Sequence, residues 1–354
     1  MGQDTPDVSS PHLELPNAAS PSLQLSHPTD SENETICDIT SAEWRDALTV
    51  SQYKDECAYL MTVPLAKDHG MTQWVLVDEH HQPGQRLVLA SCDTLRKRSL
   101  TSDLDGNISE SITHGVAGVY CRREYRGRGY ASRMLRELRE ILPTWQTEEK
   151  KCVASVLYSD IGGDFYARLG WRPVPCHHIA FDSAAAARSG DAATPLFAGD
   201  LEAVCEMDER LVRTSLARPS HSSKIRFAIL PDIDHMRWHH AKEEFGCPRL
   251  FARSPDVKGA MAGKQGSRVW AIWTHRFYEH PGNSSKNVLY ILRLGLEAEI
   301  SDAASQDDDV GIQNLKLVLE AARAEAAEWD IPQVQLWDPS PLVTSWVEKT
   351  GIPY

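Results

Sequence analysis

The sequence predicts an α/β protein, a mixed sheet with helices on its faces, built twice along the chain. Short apolar runs of strand length alternate with segments whose apolar residues recur every three or four positions. The same succession of strand, helix, strands, long helix, strand and short helix runs through both halves. An Ala- and Ser-rich stretch from Ser183 to Thr194 lies between them.

Residues 1–34, rich in Ser, Pro, Asp and Asn with few aromatic groups, read as a disordered tail. Thr35 to Ile39 reads as a short strand. Thr40 then caps a helix, Glu43 completes a capping box, and Trp44, Ala47 and Leu48 share a face. Tyr53, Cys57 and Leu60 recur at helical spacing. Trp74–Asp78, Arg86–Asp93 and Ile112–Cys121 read as strands, with a turn at Gln82-Pro83-Gly84. Met134, Leu135, Leu138, Ile141 and Leu142 form one helical face until Pro143 stops it. Cys152–Leu157 is a strand and Phe165–Leu169 a short helix ended by Gly170. Arg172–Asp182 returns as a last strand or hairpin.

In the second half, Ile225–Leu230 is a strand and Asp232 caps a helix through Phe245. Arg268–Thr274 and Val288–Leu296 are strands, and Ile312–Trp329 is a helix burying Leu315, Val318, Leu319 and Ala322. Val334–Trp337 is a strand, and Leu342–Lys349 a helix closed by Gly351. With Tyr354 just beyond that helix, the second unit is expected to lack a final strand pair. The expected division is therefore a tail (1–34), a first domain (35–185), a linker (186–194) and a second domain (195–354).

Across 354 residues the chain carries 42% hydrophobic and 25% charged residues, ordinary values for globular protein. A net charge of -13 argues against nucleic acid as a partner, since affinity for phosphate backbones comes from clustered Lys and Arg. No run approaches the ~20 apolar residues of a membrane span, and the N-terminus lacks the pattern of a secretory signal. Eight scattered cysteines without a Cys-x-x-Cys pair fit reduced thiols. A soluble, cytoplasmic protein without a membrane partner is the expectation.

One stretch carries chemistry. Arg126-Gly127-Arg128-Gly129-Tyr130-Ala131 joins the strand ending at Cys121 to the helix beginning near Ser132. A glycine turn between strand and helix gathers free N–H groups where the helix dipole also favours negative charge, which makes a phosphate seat. A Walker loop needs a Gly-Lys-Ser/Thr ending, absent here, and a dinucleotide fingerprint needs a third glycine where Ser132 stands. The corresponding place in the second half offers Ser305-Gln306-Asp307-Asp308-Asp309, whose carboxylates would repel a diphosphate, so one cofactor site per chain is expected.

The turn resembles motif A of the GNAT superfamily of N-acyltransferases, Arg/Gln-x-x-Gly-x-Gly/Ala, satisfied by Arg126, Gly129 and Ala131. Val119 and Cys121 stand at the apolar strand positions before it. Ser159-Asp160-Ile161-Gly162-Gly163-Asp164-Phe165-Tyr166-Ala167-Arg168-Leu169-Gly170-Trp171 resembles motif B, with Tyr166 at the family's tyrosine and Ser159 where asparagine is usual. Leu157-Tyr158-Ser159-Asp160-Ile161-Gly162, Arg268-Val269-Trp270-Ala271-Ile272-Trp273-Thr274 and Leu289-Tyr290-Ile291-Leu292-Arg293 further resemble the fungal lysine N-acetyltransferase family. The resemblance covers most of the chain from about residue 35.

It implies a GNAT fold followed by a degenerate GNAT-like domain. It also implies direct transfer of an acetyl group, in a ternary complex, from acetyl-CoA to the side-chain amine of free lysine. The expected cofactor-binding residues are Val119, Tyr120, Cys121, Arg126, Gly127, Arg128, Gly129, Tyr130, Ala131, Ser132 and Ser159. Tyr166 is the expected acid toward the CoA thiolate. An ammonium with pKa near ~10.4 must shed a proton before attack, and the titratable groups on the strand before the turn, His114 and Glu110, are the expected base; His114 suits neutral pH better. Cys121 is read as an apolar filler instead of a nucleophile.

No metal is expected: His235 and His239 share a helix face, but no third ligand is evident. Trp270, Trp273, Trp337 and Trp346 are read as packing. The alternatives are a polyamine, secondary-metabolite or protein-lysine acetyltransferase, or a non-catalytic acyl-CoA sensor or scaffold. Oligomeric state is not readable.

Overall fold

The computed structural model describes residues 15–185, 192–220, 224–280, 282–300 and 308–354. The first unit runs β1 (Leu23–Ser26), α1 (Asp30–Trp44), α2 (Val50–Leu60), β2 (Met71–Asp78), β3 (Ala90–Ser102), β4 (Ile108–Tyr120), α3 (Tyr130–Ile141), β5 (Lys151–Val156) and α4 (Gly163–Ala167). Its strands lie in the order β1-β2-β3-β4-β5, antiparallel except for the parallel β4–β5 pair.

Side chains alternate across the sheet, so two faces form. On one, Trp74, Leu76, Cys92 and Val116 meet Met134, Leu135 and Leu138 of α3, the helical face read from the sequence. On the other, Val75 and Val77 meet Ile36 of α1.

The expected tail extends too far. Leu23–Ser26 pairs with Val75–Asp78, and Thr29 with Glu32 forms the capping box of α1. The helix therefore begins before Thr35 and absorbs the strand expected at Thr35–Ile39. Thr40 lies inside it, its hydroxyl donating to the Ile36 carbonyl at 2.8 Å. Burial alone would raise the Glu32 carboxyl, but Arg86 at 2.7 Å and two backbone amides hold it down, to about 2. Residues 1–14 of that tail, and 186–191 of the linker, lie outside the described residues; Thr194 already belongs to a strand.

The second sheet takes β6 (His178–Asp182), β7 (Thr194–Phe197), β9 (Val257–Ala262), β10 (Val269–Arg276), β11 (Val288–Leu296) and β12 (Gln333–Trp337). Its helices are α5 (Leu201–Leu216), α6 (Ile233–Phe251), α7 (Asp308–Glu328) and α8 (Pro341–Thr350). The succession β7-β9-β10-β11-β12 repeats β1 to β5 in order and in sense, again with only the last pair parallel. The sequence reads as a duplication, but with Thr35–Ile39 and Ile225–Leu230 as the opening strands; the repeat instead opens with β1 and with β7 and β9. Short β7, β9 and the helix α5 escaped the sequence reading.

The two units exchange strands. β6, expected to close the first sheet, pairs with β12 and forms the flank of the second sheet. β8 (Arg226–Ile229), expected to open the second sheet, pairs instead with Ser99–Ser102 of β3. β2 covers only Ala90–Leu95 of β3, so the rest of that long strand would otherwise be an open edge. Boundaries at 185 and 195 therefore do not separate the two sheets.

The units also meet through α2 and α6. Tyr59 stacks on Phe245, Lys242 lies 3.3 Å from Glu56, and Arg276 lies 2.8 Å from Asp46. This contact roofs the α1–α2 side of the first sheet with α6.

Candidate active site

The site begins where β4 leaves β5. Their last paired residues are Gly115 and Val156, yet β4 continues to Tyr120, so the backbone groups of Val119 and Tyr120 face a gap instead of a β5 partner. On its other side β4 carries a bulge: Ala117 stands opposite Asp93 and Tyr120 opposite Ser91. Gly118, at φ +58, is the extra residue. A Cβ at Gly118 would lie 2.7 Å from Asp93 Oδ2, so glycine is what lets the carboxylate approach the strand.

Beyond β4, a 3-10 turn at Arg123–Tyr125 leads through Gly127 (φ +79) and Gly129 (φ +93) into α3. Gly129 is the N-cap and provides no side chain to satisfy the first amides, leaving those of Tyr130, Ala131 and Ser132 as donors. A Cβ at Gly127 would meet nothing within 4 Å, so a ligand has room against this backbone. The Tyr130 side chain instead turns into the core, its hydroxyl donating to the Pro16 carbonyl. Arg128 is exposed. Arg126 folds back, donating to the Cys121 carbonyl at 3.1 Å and lying 3.6 Å from Glu43. Burial raises the Cys121 thiol, which suits a filler better than a nucleophile.

After β5, the chain turns at Gly162 into α4, and Tyr166 is buried against Phe165 and the α3-side core. Burial raises the phenol, and a hydrogen bond with the Ser159 side chain offsets part of this. Gly170 (φ +101) ends the element beside the Arg139 guanidinium, and Trp171 then donates to Ser155 Oγ at 3.0 Å. The glycine turn thus follows directly on the free end of β4, and Ser159 with its partner Tyr166 follows β5, the strand that β4 outruns.

The structure does not bring Glu110 or His114 to that end of β4. Glu110 lies ten residues upstream of Tyr120, about 33 Å along an extended strand, and is bound to Arg213 of α5 at 2.6 Å. His114 is fully buried, its Nε2–H donating to the Trp145 carbonyl at 3.0 Å; burial lowers its pKa. Glu110 is thus held by the protein's own arginine, while the second ring nitrogen of His114, Nδ1, is buried without a partner.

Asp93 is a candidate that the sequence did not single out. It lines a cavity of about 150 Å³ enclosed by α1, α2, the first sheet and α6, together with Cys37, Tyr53, Glu56, Trp238 and Lys242. Enclosure by protein pushes its carboxyl up to about 7, and among the described residues no donor binds it. The available signal was an Asp inside the apolar run Leu87–Leu95, on the face opposite Cys92. Glu56 is also raised by burial, against the opposing pull of Lys242.

Elsewhere, His235 is engaged by Asp232 at 2.6 Å and His240 by the Trp273 carbonyl at 2.9 Å. Trp270, Trp273 and Trp346 are buried, whereas Trp337 stacks on His178 at the surface. In the second unit a Cβ at Gly311, in the first turn of α7, would lie 2.2 Å from the Trp346 ring of α8. The indole thus packs directly on the N-terminal turn of α7. Residues 305–307 of the acidic turn lie outside the described residues; Asp308 and Asp309 open α7.

A family model described as Acetyltransferase (GNAT) family matches residues 34–171, and one described as LYC1 GNAT-like C-terminal domain matches residues 178–354. The second begins at β6, the strand that structurally belongs to the second sheet. A protein named lysine acetyltransferase from Yarrowia lipolytica is 23% identical over 276 residues, 66% of this chain and 68% of that protein. The uncharacterized protein YGR111W of Saccharomyces cerevisiae is 24% identical over 329 residues, 83% and 78% of the two chains. Among solved structures, a GCN5-related N-acetyltransferase from Anabaena variabilis is similar at 12% identity and a TM-score of 0.49, covering 91% of this chain and 68% of that one.

Proposed function

The chain belongs to the GNAT acetyltransferases, with a LYC1 GNAT-like domain as its C-terminal half, and from that premise we propose that it acetylates the side-chain amine of free L-lysine. The observation that carries the transfer is β4 running on past its last pairing with β5, with the glycine turn and uncapped α3 directly after it. The lysine acceptor is supported by the name of the Yarrowia relative and by the cavity, walled on one side by α6 of the second unit.

In this reading the diphosphate of acetyl-CoA rests on the amides of Tyr130, Ala131 and Ser132, with Gly127 and Gly129 allowing close approach. Arg126 and Arg128 flank it; Arg126 leaves Glu43 to do so. The thioester lies along the free end of β4, near Ser159. Asp93, ionised above about pH 7, accepts a proton from the ammonium at the Gly118 bulge. The freed amine attacks the thioester carbon, and N–H groups of Val119 to Cys121 receive the developing oxyanion. The C–S bond then breaks and Tyr166 donates its phenolic proton to the leaving thiolate. The nitrogen, still carrying one proton too many, gives it up through water to the Tyr166 phenolate, and water removes the proton held by Asp93, closing the cycle.

The test follows free thiol release from acetyl-CoA across L-lysine, polyamines and a lysine-containing peptide, with Tyr166→Phe beside the parent. The expected result is turnover with L-lysine, reduced 10²–10⁴-fold in the variant with coenzyme A affinity retained. Preference for peptide or polyamine would replace the acceptor. Tight coenzyme A binding with no thiol release against any amine would make the chain a sensor.

A further inference from the structure

Lys97 is an enclosed cation on β3 that the reaction scheme above does not use. Among the described residues no carboxylate makes an ion pair with it. Asp232, the acid that acts on it electrostatically, is engaged by His235 at 2.6 Å and lies 3.8 Å from Arg98. Burial lowers the Lys97 pKa to about 8. An enclosed ammonium without a counter-ion is costly unless a ligand supplies one.

Its direction is fixed by a glycine. A Cβ at Gly115 would lie 2.6 Å from Lys97 Cε and 3.7 Å from Nζ, so the side chain lies directly across β4 at that residue. Asp93 approaches the same strand at Gly118. Positions 93 and 97 share one face of β3, opposite Ala117 and Thr113. The carboxylate and the ammonium therefore stand over points three residues apart on β4, about 10 Å. α6 roofs both ends: His239 and its cap Asp232 lie near Lys97, and Trp238 and Lys242 near Asp93. His239 is held neutral by enclosure and by Lys97, with its pKa down at about 3, so it does not compete as an anion site.

Resting on the acetyltransferase reading, we propose that Lys97 receives the carboxylate of the acceptor while Asp93 faces its amine, so the cleft selects an amino acid over a diamine. An amine at the end of a four-carbon side chain sits about 7–8 Å from its own carboxyl carbon. Hydrogen bonds of about 3 Å at each end let that molecule bridge the interval when slightly bent.

The experiment compares L-lysine with 1,5-diaminopentane, the same amine without the carboxylate, in the parent, Lys97→Met and Lys97→Arg. Thiol release gives kcat/KM, and calorimetry in the presence of coenzyme A gives acceptor affinity. The parent prefers L-lysine by at least about 10-fold, Lys97→Met brings the ratio near one, and Lys97→Arg keeps most of it. An equal preference in the parent overturns the inference, as does a ratio unchanged in Lys97→Met. Lysine binding that depends on Lys97 without any thiol release upholds this contact and overturns the transfer reading instead. If Lys97→Met does not fold, the parent and Arg ratios decide.

Discussion

Replacing Asp93 by Asn separates the proton-accepting role proposed for it from its effect on stability, because the two effects have opposite sign. Burial raises the Asp93 carboxyl from its ordinary 3.8 to about 7. A carboxyl with a folded pKa above its unfolded value favours folding while protonated; that contribution is whole below pH 3.8 and is lost as pH rises through 7. Each pH unit in that window costs about 1.4 kcal/mol. From pH 5 to pH 8 the parent therefore loses on the order of 3 kcal/mol from this group, and Asp93→Asn does not. Urea denaturation of both proteins at the two pH values measures the difference. The variant is expected to gain about 3 kcal/mol relative to the parent over the interval while kcat/KM falls 10²–10⁴-fold. It should also lose the limb near pH 7 in its pH–rate profile. A constant stability difference between pH 5 and pH 8, or a variant that keeps that limb, would refute the reasoning.

Other perturbations probe neighbouring parts. Gly118→Ala places a methyl 2.7 Å from Asp93 Oδ2 in a backbone of positive φ; thermal melting should show a loss of about 1–2 kcal/mol, with turnover falling as the carboxylate shifts. Trp346→Ala removes the buried indole packed on Gly311 of α7. Denaturation should register a loss of about 3–5 kcal/mol, while coenzyme A affinity of the folded protein, read by calorimetry, stays within about 2-fold; a new second binding event would contradict the single-site reading.

Local chemistry explains what was legible in the chain. The turn at Gly127 and Gly129, the amphipathic face Met134–Leu138 and the motif ending Leu169-Gly170-Trp171 are contiguous signals, and each stands where the pattern put it. The later part of each repeat, from the central strands through the long helix to the parallel strand and short helix, was readable for the same reason, whereas the short opening strands β1, β7 and β9 were not. The start of α1 was misread because Thr29-x-x-Glu32 and Thr40-x-x-Glu43 are equally good capping boxes by composition. Only the pairing of Leu23–Ser26 with β2 and the Glu32–Arg86 pair distinguish them. Glu110 and His114 were chosen for residue type and nearness in sequence, neither of which measures distance along an extended strand.

The sequence alone determined the family, the two-unit α/β plan and the glycine turn before α3, because these depend on residues close together along the chain. The tertiary structure decided which sheet β6 and β8 join, since a short apolar strand reports its period and not its partner. It also brought Asp93, Gly118 and Lys97 under α6, where an ordinary strand Asp and Lys acquire shifted proton affinities. Their chemistry arises from enclosure by a helix more than a hundred residues away, and no local pattern encodes that.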